Sequence, residues 1–105
     1  LAAIAIPQFS AYRKRGYEAQ VKSDLRNAAT AEEAYFAGTQ PSVYKANALS
    51  SGVPTGYNQS ASVTMNATVD STAGTFLLTA SHTNCAGVNW TYTSVGGLIS
   101  ATSCP

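Results

Sequence analysis

The chain is short of charge, of histidine and of cysteine, and each shortage removes a class of function. Its 105 residues carry six lysines and arginines against five aspartates and glutamates, for a formal net charge of +1. From Ala46 to Pro105 the one formally charged side chain is Asp70, so that half lacks the acidic cluster a calcium site requires. His82 is the single histidine, and near a strand end it is expected to be structural or solvent-facing rather than catalytic. Cys85 and Cys104 are the only cysteines, and neither belongs to a C-x-x-C pair or adjoins a histidine that would complete a zinc site. A disulfide is the natural reading of them, with two buried thiols as the alternative. The bond would contribute roughly 3 kcal/mol in the chain-entropy account and would imply an oxidising compartment. No catalytic, cofactor-binding or metal-ligating residue is assigned, and no enzymatic activity is expected.

Long apolar runs are also missing. A membrane-spanning helix needs about 20 apolar residues, whereas Leu1 to Ile6 would cover roughly 9 Å of a roughly 30 Å hydrocarbon core. Yet the order that follows is that of a membrane flank: Pro7, the aromatic Phe9 and Tyr12, then the cations Arg13, Lys14 and Arg15. The first seven residues therefore read as the end of a longer apolar helix.

What the chain does contain divides into two periods. From Gln8 to about Ala37 the pattern is helical. Tyr17, Val21, Leu25, Ala28, Glu32 and Tyr35 share one stripe, with Glu32 its only charged member, while Lys14, Glu18 and Lys22 form a ladder on another face. Glu32 and Glu33 point about 100° apart on such a helix, and a capping or solvated-face role is expected for them in place of a metal site. An unbroken helix of this length, roughly 45 Å, outreaches a small domain, so one end must project. Gly38, in a left-handed conformation, and Pro41 would stop it.

Residues 38–60 read as a long loop and a potential functional surface. Beyond them the period becomes two: Val63 to Asp70, Phe76 to Ser81, Val88 to Thr93 and Leu98 to Thr102 alternate apolar and polar residues, with turns at Ser71–Gly74 and Gly96–Gly97. A sheet with one apolar face must bury it, and the helix is the only partner long enough. The expectation is a single α+β domain: a helix over 1–37, of which 1–7 is the filament-core or membrane remnant, a loop over 38–60, and a four-stranded antiparallel sheet with a disulfide region over 61–105.

The run from Leu1 to Arg13, Leu-Ala-Ala-Ile-Ala-Ile-Pro-Gln-Phe-Ser-Ala-Tyr-Arg, resembles the middle of the N-terminal helix of type IVa pilins. Ser23-Asp24-Leu25-Arg26-Asn27 continues the likeness, particularly to pilins of metal-reducing bacteria, and Trp90 between Cys85 and Cys104 resembles the family's disulfide-bounded region. The sequence match runs to about Phe36 and is architectural thereafter. It implies the pilin fold and places the family's leader cleavage site, methylated N-terminal residue and membrane-embedded glutamate before Leu1, so the chain is expected to be a pilin lacking the first part of its membrane helix.

The resemblance further implies a homopolymer, a helical extracellular filament serving adhesion, surface motility or DNA uptake. Subunits would be held in the inner membrane before assembly and would be polymerised by inner-membrane machinery with its cytoplasmic motors and outer-membrane secretin. Leu1, Ile4, Ile6, Pro7 and Phe9 would carry assembly, each buried aliphatic contributing about 1.5–3 kcal/mol, with a bend at Pro7. Arg13, Lys14, Arg15 and Tyr44 are the candidate interaction surface.

The alternative within the resemblance is a type II secretion pseudopilin or a minor pilin. An electron-conducting pilus, suggested by Phe9, Tyr12, Tyr17, Tyr35, Phe36 and Tyr44, is a minority reading, because aromatics serve packing equally well. Nucleic-acid binding by three adjacent cations spread around a helix is subordinate to a membrane-flank or solvated role. Asn58, Asn66 and Asn89 stand in N-glycosylation sequons that arise readily by chance in so polar a chain.

Overall fold

The computed structural model describes residues 9–100 and 102–105. Leu1, Ile4, Ile6 and Pro7, with the bend expected at Pro7, lie outside the described residues. Helix α1 spans Phe9–Gly38 and is followed by β1 (Asn47–Leu49), β2 (Val63–Asp70), β3 (Thr75–His82), β4 (Trp90–Thr93) and β5 (Leu98–Ile99). The five strands form one antiparallel meander in the order β1-β2-β3-β4-β5, and α1 packs against it. The architecture is α+β.

The helical stripe is the reason α1 lies on the sheet. Val21, Leu25, Ala28, Ala29 and Ala31 are buried, and they meet Val63, Met65 and Ala67 of β2, Phe76, Leu78 and Ala80 of β3, and Trp90 of β4 in one core. Along β2 and β3 burial alternates residue by residue, as the period of two predicts. Burial on α1 begins only at Val21, with Tyr17 lying against the core edge. Phe9 and Tyr12 at the start of the helix are 62% and 73% exposed.

Three expectations require correction. The sheet has five strands, not four, because Asn47–Leu49 pairs with the edge of β2 through Asn47↔Ala67, Ala48↔Asn66 and Leu49↔Met65. Three residues cannot display a period; the pairing comes from the neighbouring strand and from burial of Leu49. The 38–60 segment is consequently not a detached loop, since Leu49 and Tyr57 both belong to the core. Finally, Gly38 is the last helical residue and does not adopt a positive φ. Thr39 completes the end instead: its hydroxyl donates to the Tyr35 carbonyl (2.9 Å) and accepts the Val43 N–H (3.2 Å).

The turns follow local chemistry. Asp70, the lone charge of the second half, accepts the N–H groups of Thr72 and Ala73 at 3.0 Å each, and Gly74 closes the β2–β3 turn with a φ of 70°. Gly96 and Gly97, both at positive φ, turn β4 into β5. The strands are shorter there than the pattern suggests, β4 beginning at Trp90 and β5 ending at Ile99.

Neighbouring leucines of β3 provide a test of this arrangement. Leu78 is fully buried and Leu77 is 39% exposed on the opposite face. Leu78→Ala should cost about 2–5 kcal/mol and Leu77→Ala less than about 1 kcal/mol in urea denaturation.

Candidate functional site

Three carboxylates of α1 reach out of the helix to hold irregular segments by their backbone. Glu18 Oε2 accepts the N–H of Cys104 at 2.8 Å. Asp24 accepts both the N–H and the hydroxyl of Ser60, at 2.9 and 3.1 Å. Glu32 Oε1 accepts the N–H of Lys45 at 2.6 Å. At about 100° per residue, Glu18 and Asp24 flank the apolar stripe on opposite sides and Glu32 falls within it. Each therefore meets a different part of the chain where it crosses the helix: the disulfide-bonded C-terminus, the approach to β2 and the approach to β1.

The sequence expectation for Glu32 is overturned here. It is not solvated but fully buried, because its place in the stripe turns it under the segment that runs from α1 to β1. Among the described residues its Oε2 has no hydrogen-bond partner. Burial, the largest influence, and the neighbouring Glu33 push its carboxyl up to about 7, against the lowering effects of the Lys45 N–H and the Lys45 charge. Glu18 likewise leaves the expected surface ladder for Cys104. Sequence pattern did not single out Asp24 or Tyr57; burial, and secondarily the Asp24 charge, pushes the Tyr57 phenol up. The Tyr57 hydroxyl donates to Gln59 Oε1 at 3.2 Å, and Gln59 in turn donates to the Val63 carbonyl at 2.7 Å.

The C-terminal region is stapled as expected, with a Cys85–Cys104 disulfide across a sequence separation of 19. Trp90, fully buried in the same core, donates its indole N–H to the Thr102 carbonyl at 2.9 Å. His82 is buried rather than solvent-facing. Its Nδ1 accepts the Asn84 N–H (3.0 Å), which leaves Nε2 to donate to Gln20 Oε1 (2.7 Å), and its ring lies 4.6 Å from Tyr17. Both of its nitrogens are thus engaged, Nε2 in holding β3 to α1 and Nδ1 in the turn that follows β3.

Of the candidate interaction residues, Phe9, Arg13 and Arg15 are exposed, Lys14 is half-buried, and Tyr44 lies at the other end of the helix. The Tyr44 ring stacks on Phe36 and tilts against Phe76, centroids 4.5 Å away in each case, and Phe76 stacks on Tyr92 at 6.0 Å. The Tyr44 hydroxyl donates to Glu33 at 3.1 Å; burial and that contact raise its pKa. The surface depressions are open. One of about 420 Å³ is lined by Ala34, Tyr35, Gly38, Thr39 and Thr55, and one of about 270 Å³ by Arg26, Ala29, Thr30, Glu33 and Tyr92. Among the described residues no helix is long and apolar enough to cross a membrane, and no group of three or more histidine, cysteine, aspartate or glutamate side chains could hold a metal.

Compared with known proteins, the chain matches no family model, no curated protein and no solved structure.

Two outcomes test the carboxylate contacts. Asp24→Ala removes an acceptor from two donors of Ser60 and should cost about 1–3 kcal/mol in chemical denaturation. In the unfolded chain Glu32 titrates near 4.5, so between that value and about 7 the folded protein retains a proton that the unfolded chain has lost. Glu32 should therefore lower stability as pH rises through this window, by an amount on the order of 3 kcal/mol. The difference in stability between wild type and Glu32→Gln should change in that direction across the window, and a pH-independent difference would contradict the assignment.

Proposed function

We propose that the protein is a structural subunit of a type IV pilus, adopting the pilin fold and polymerising through its N-terminal helix into an extracellular filament. The observation that carries this reading is the uncovered start of α1. The sheet buries the helix from Val21 onward, whereas Phe9 and Tyr12 remain exposed on its first turn, for which the described residues supply no cover. Large aromatic side chains on a projecting helix are suited to burial against copies of the same helix, and repetition of such a heterologous contact gives an open-ended assembly. The Cys85–Cys104 disulfide and a second half with Asp70 as its only charge suit an oxidising, extracellular setting.

In this reading the partners are further copies of the chain, the inner membrane before assembly, and the inner-membrane assembly machinery. Leu1, Ile4, Ile6, Pro7 and Phe9 form the filament core, and Arg13, Lys14 and Arg15 lie at its border. The filament would serve adhesion, motility or DNA uptake.

Phe9→Asp, introduced at the natural locus, should abolish filaments while leaving the sheet and disulfide intact, because Phe9 touches none of the core described above. Electron microscopy of the cell surface, with thermal unfolding of the purified variant, gives both readouts. Normal filaments from the variant would refute the proposal. Short or tip-restricted assemblies of the unaltered protein would instead assign it the pseudopilin or minor-pilin role.

A further inference from the structure

We propose that Glu32 and the backbone N–H of Lys45 form a proton-sensitive clasp, which keeps the 39–49 segment docked on α1 while the carboxyl is neutral and releases it when the carboxyl ionises. The geometry is specific. Glu32 is fully buried, and among the described residues its Oε1 meets one donor and its Oε2 meets none. A neutral carboxyl suits this environment better than a carboxylate: Oε1 is then the carbonyl acceptor and the proton sits on Oε2, whose O–H also lacks a partner among the described residues, but no charge is buried. A carboxylate there must satisfy two charged oxygens with a single N–H, and its remaining route to hydration is water entry.

Water can enter most readily where the cover is thinnest. The helix and the central strands are joined through the core, and displacing them would expose Leu25, Ala28 and Leu78. The 39–49 segment is held by less: the Thr39 hydroxyl, the Tyr44 ring and its bond to Glu33, the Lys45 N–H, the three-residue pairing of β1 and one core side chain, Leu49. Gln40 to Val43 are exposed, and Asn47, at the start of β1, sits at a φ of 73°, a left-handed conformation that a non-glycine residue adopts at some cost. Departure of the segment would also uncover the edge of β2 from Met65 to Ala67.

The charged and titratable groups around Glu32 are few. Glu33 on α1 opposes its ionisation, and Lys45 on the covering segment favours it. Tyr44, on the same segment, is turned to Glu33. From the sheet, Tyr92 of β4 lines the depression beside Glu33, His82 of β3 is engaged with Gln20 three turns earlier, and Asp70 at the end of β2 is committed to its own turn. None supplies a donor to Oε2.

The test is amide hydrogen exchange, resolved by NMR, on the wild-type protein and Glu32→Gln between about pH 5 and pH 7. Taking the ratio of the two proteins at each pH cancels intrinsic exchange chemistry. For the Lys45 amide the wild-type to variant ratio should rise about tenfold or more across the interval, since only the wild type gains a proton-linked opening. Lys45 should also exchange through a less costly opening than the Leu78 amide in the core. A flat ratio, or equal protection of Lys45 and Leu78, would overturn the clasp. Carbon-13 titration of the wild-type Glu32 carboxyl needs no variant: a midpoint near 7 supports the proposal, and one at 4.5, the ordinary value, defeats it.

Discussion

The structure depends on one constraint: among the described residues a single helix must anchor not only a sheet but also three stretches of chain that lack a continuous partner of their own. Apolar packing explains the sheet. It does not explain why the approaches to β1 and β2 and the C-terminal tail lie where they do, since a backbone N–H crossing a helix has no acceptor among the helix's internally paired carbonyls. Glu18, Asp24 and Glu32 supply those acceptors from side chains. Loss of such an acceptor leaves a donor stranded.

The three contacts are not equivalent. Asp24 meets two donors of one residue and is well satisfied in its buried place. Glu18 is only half-buried and can draw on water as well as on Cys104. Among the described residues Glu32 alone combines full burial with an unpaired oxygen, and its raised pKa follows from that imbalance. A stripe residue that is polar thus stabilises one conformation of the neighbouring segment and carries a pH-dependent cost.

Much of this was legible in the sequence, and the remainder had physical reasons for being hidden. The helical stripe and the alternation of β2 and β3 reflect burial on one face, which periodicity reports directly. Glu32 stood out as the charged member of that stripe, yet the pattern could not show which segment would cover it. Strand β1 was invisible because three residues carry no period and their pairing is dictated by β2. Tyr57 was invisible because it enters the core from irregular chain. The Asp24–Ser60 contact joins residues 36 apart in sequence, and no local pattern encodes such a distance. The cysteine pairing, by contrast, followed from there being two cysteines and no metal-site context.

The same constraint divides the helix by role. Its later turns, from Val21, are committed to the sheet and the carboxylate contacts; its first turn carries Phe9 and Tyr12 outward. In the proposed filament the first part joins subunits and the second holds each subunit together. The claim that side-chain acceptors on α1 organise the irregular segments is tested most directly by through-hydrogen-bond scalar couplings in isotopically labelled protein. The account predicts couplings from the Lys45, Ser60 and Cys104 amide nitrogens to the carboxyl carbons of Glu32, Asp24 and Glu18. Their absence under conditions where the sheet couplings of β2 and β3 are observed would contradict it.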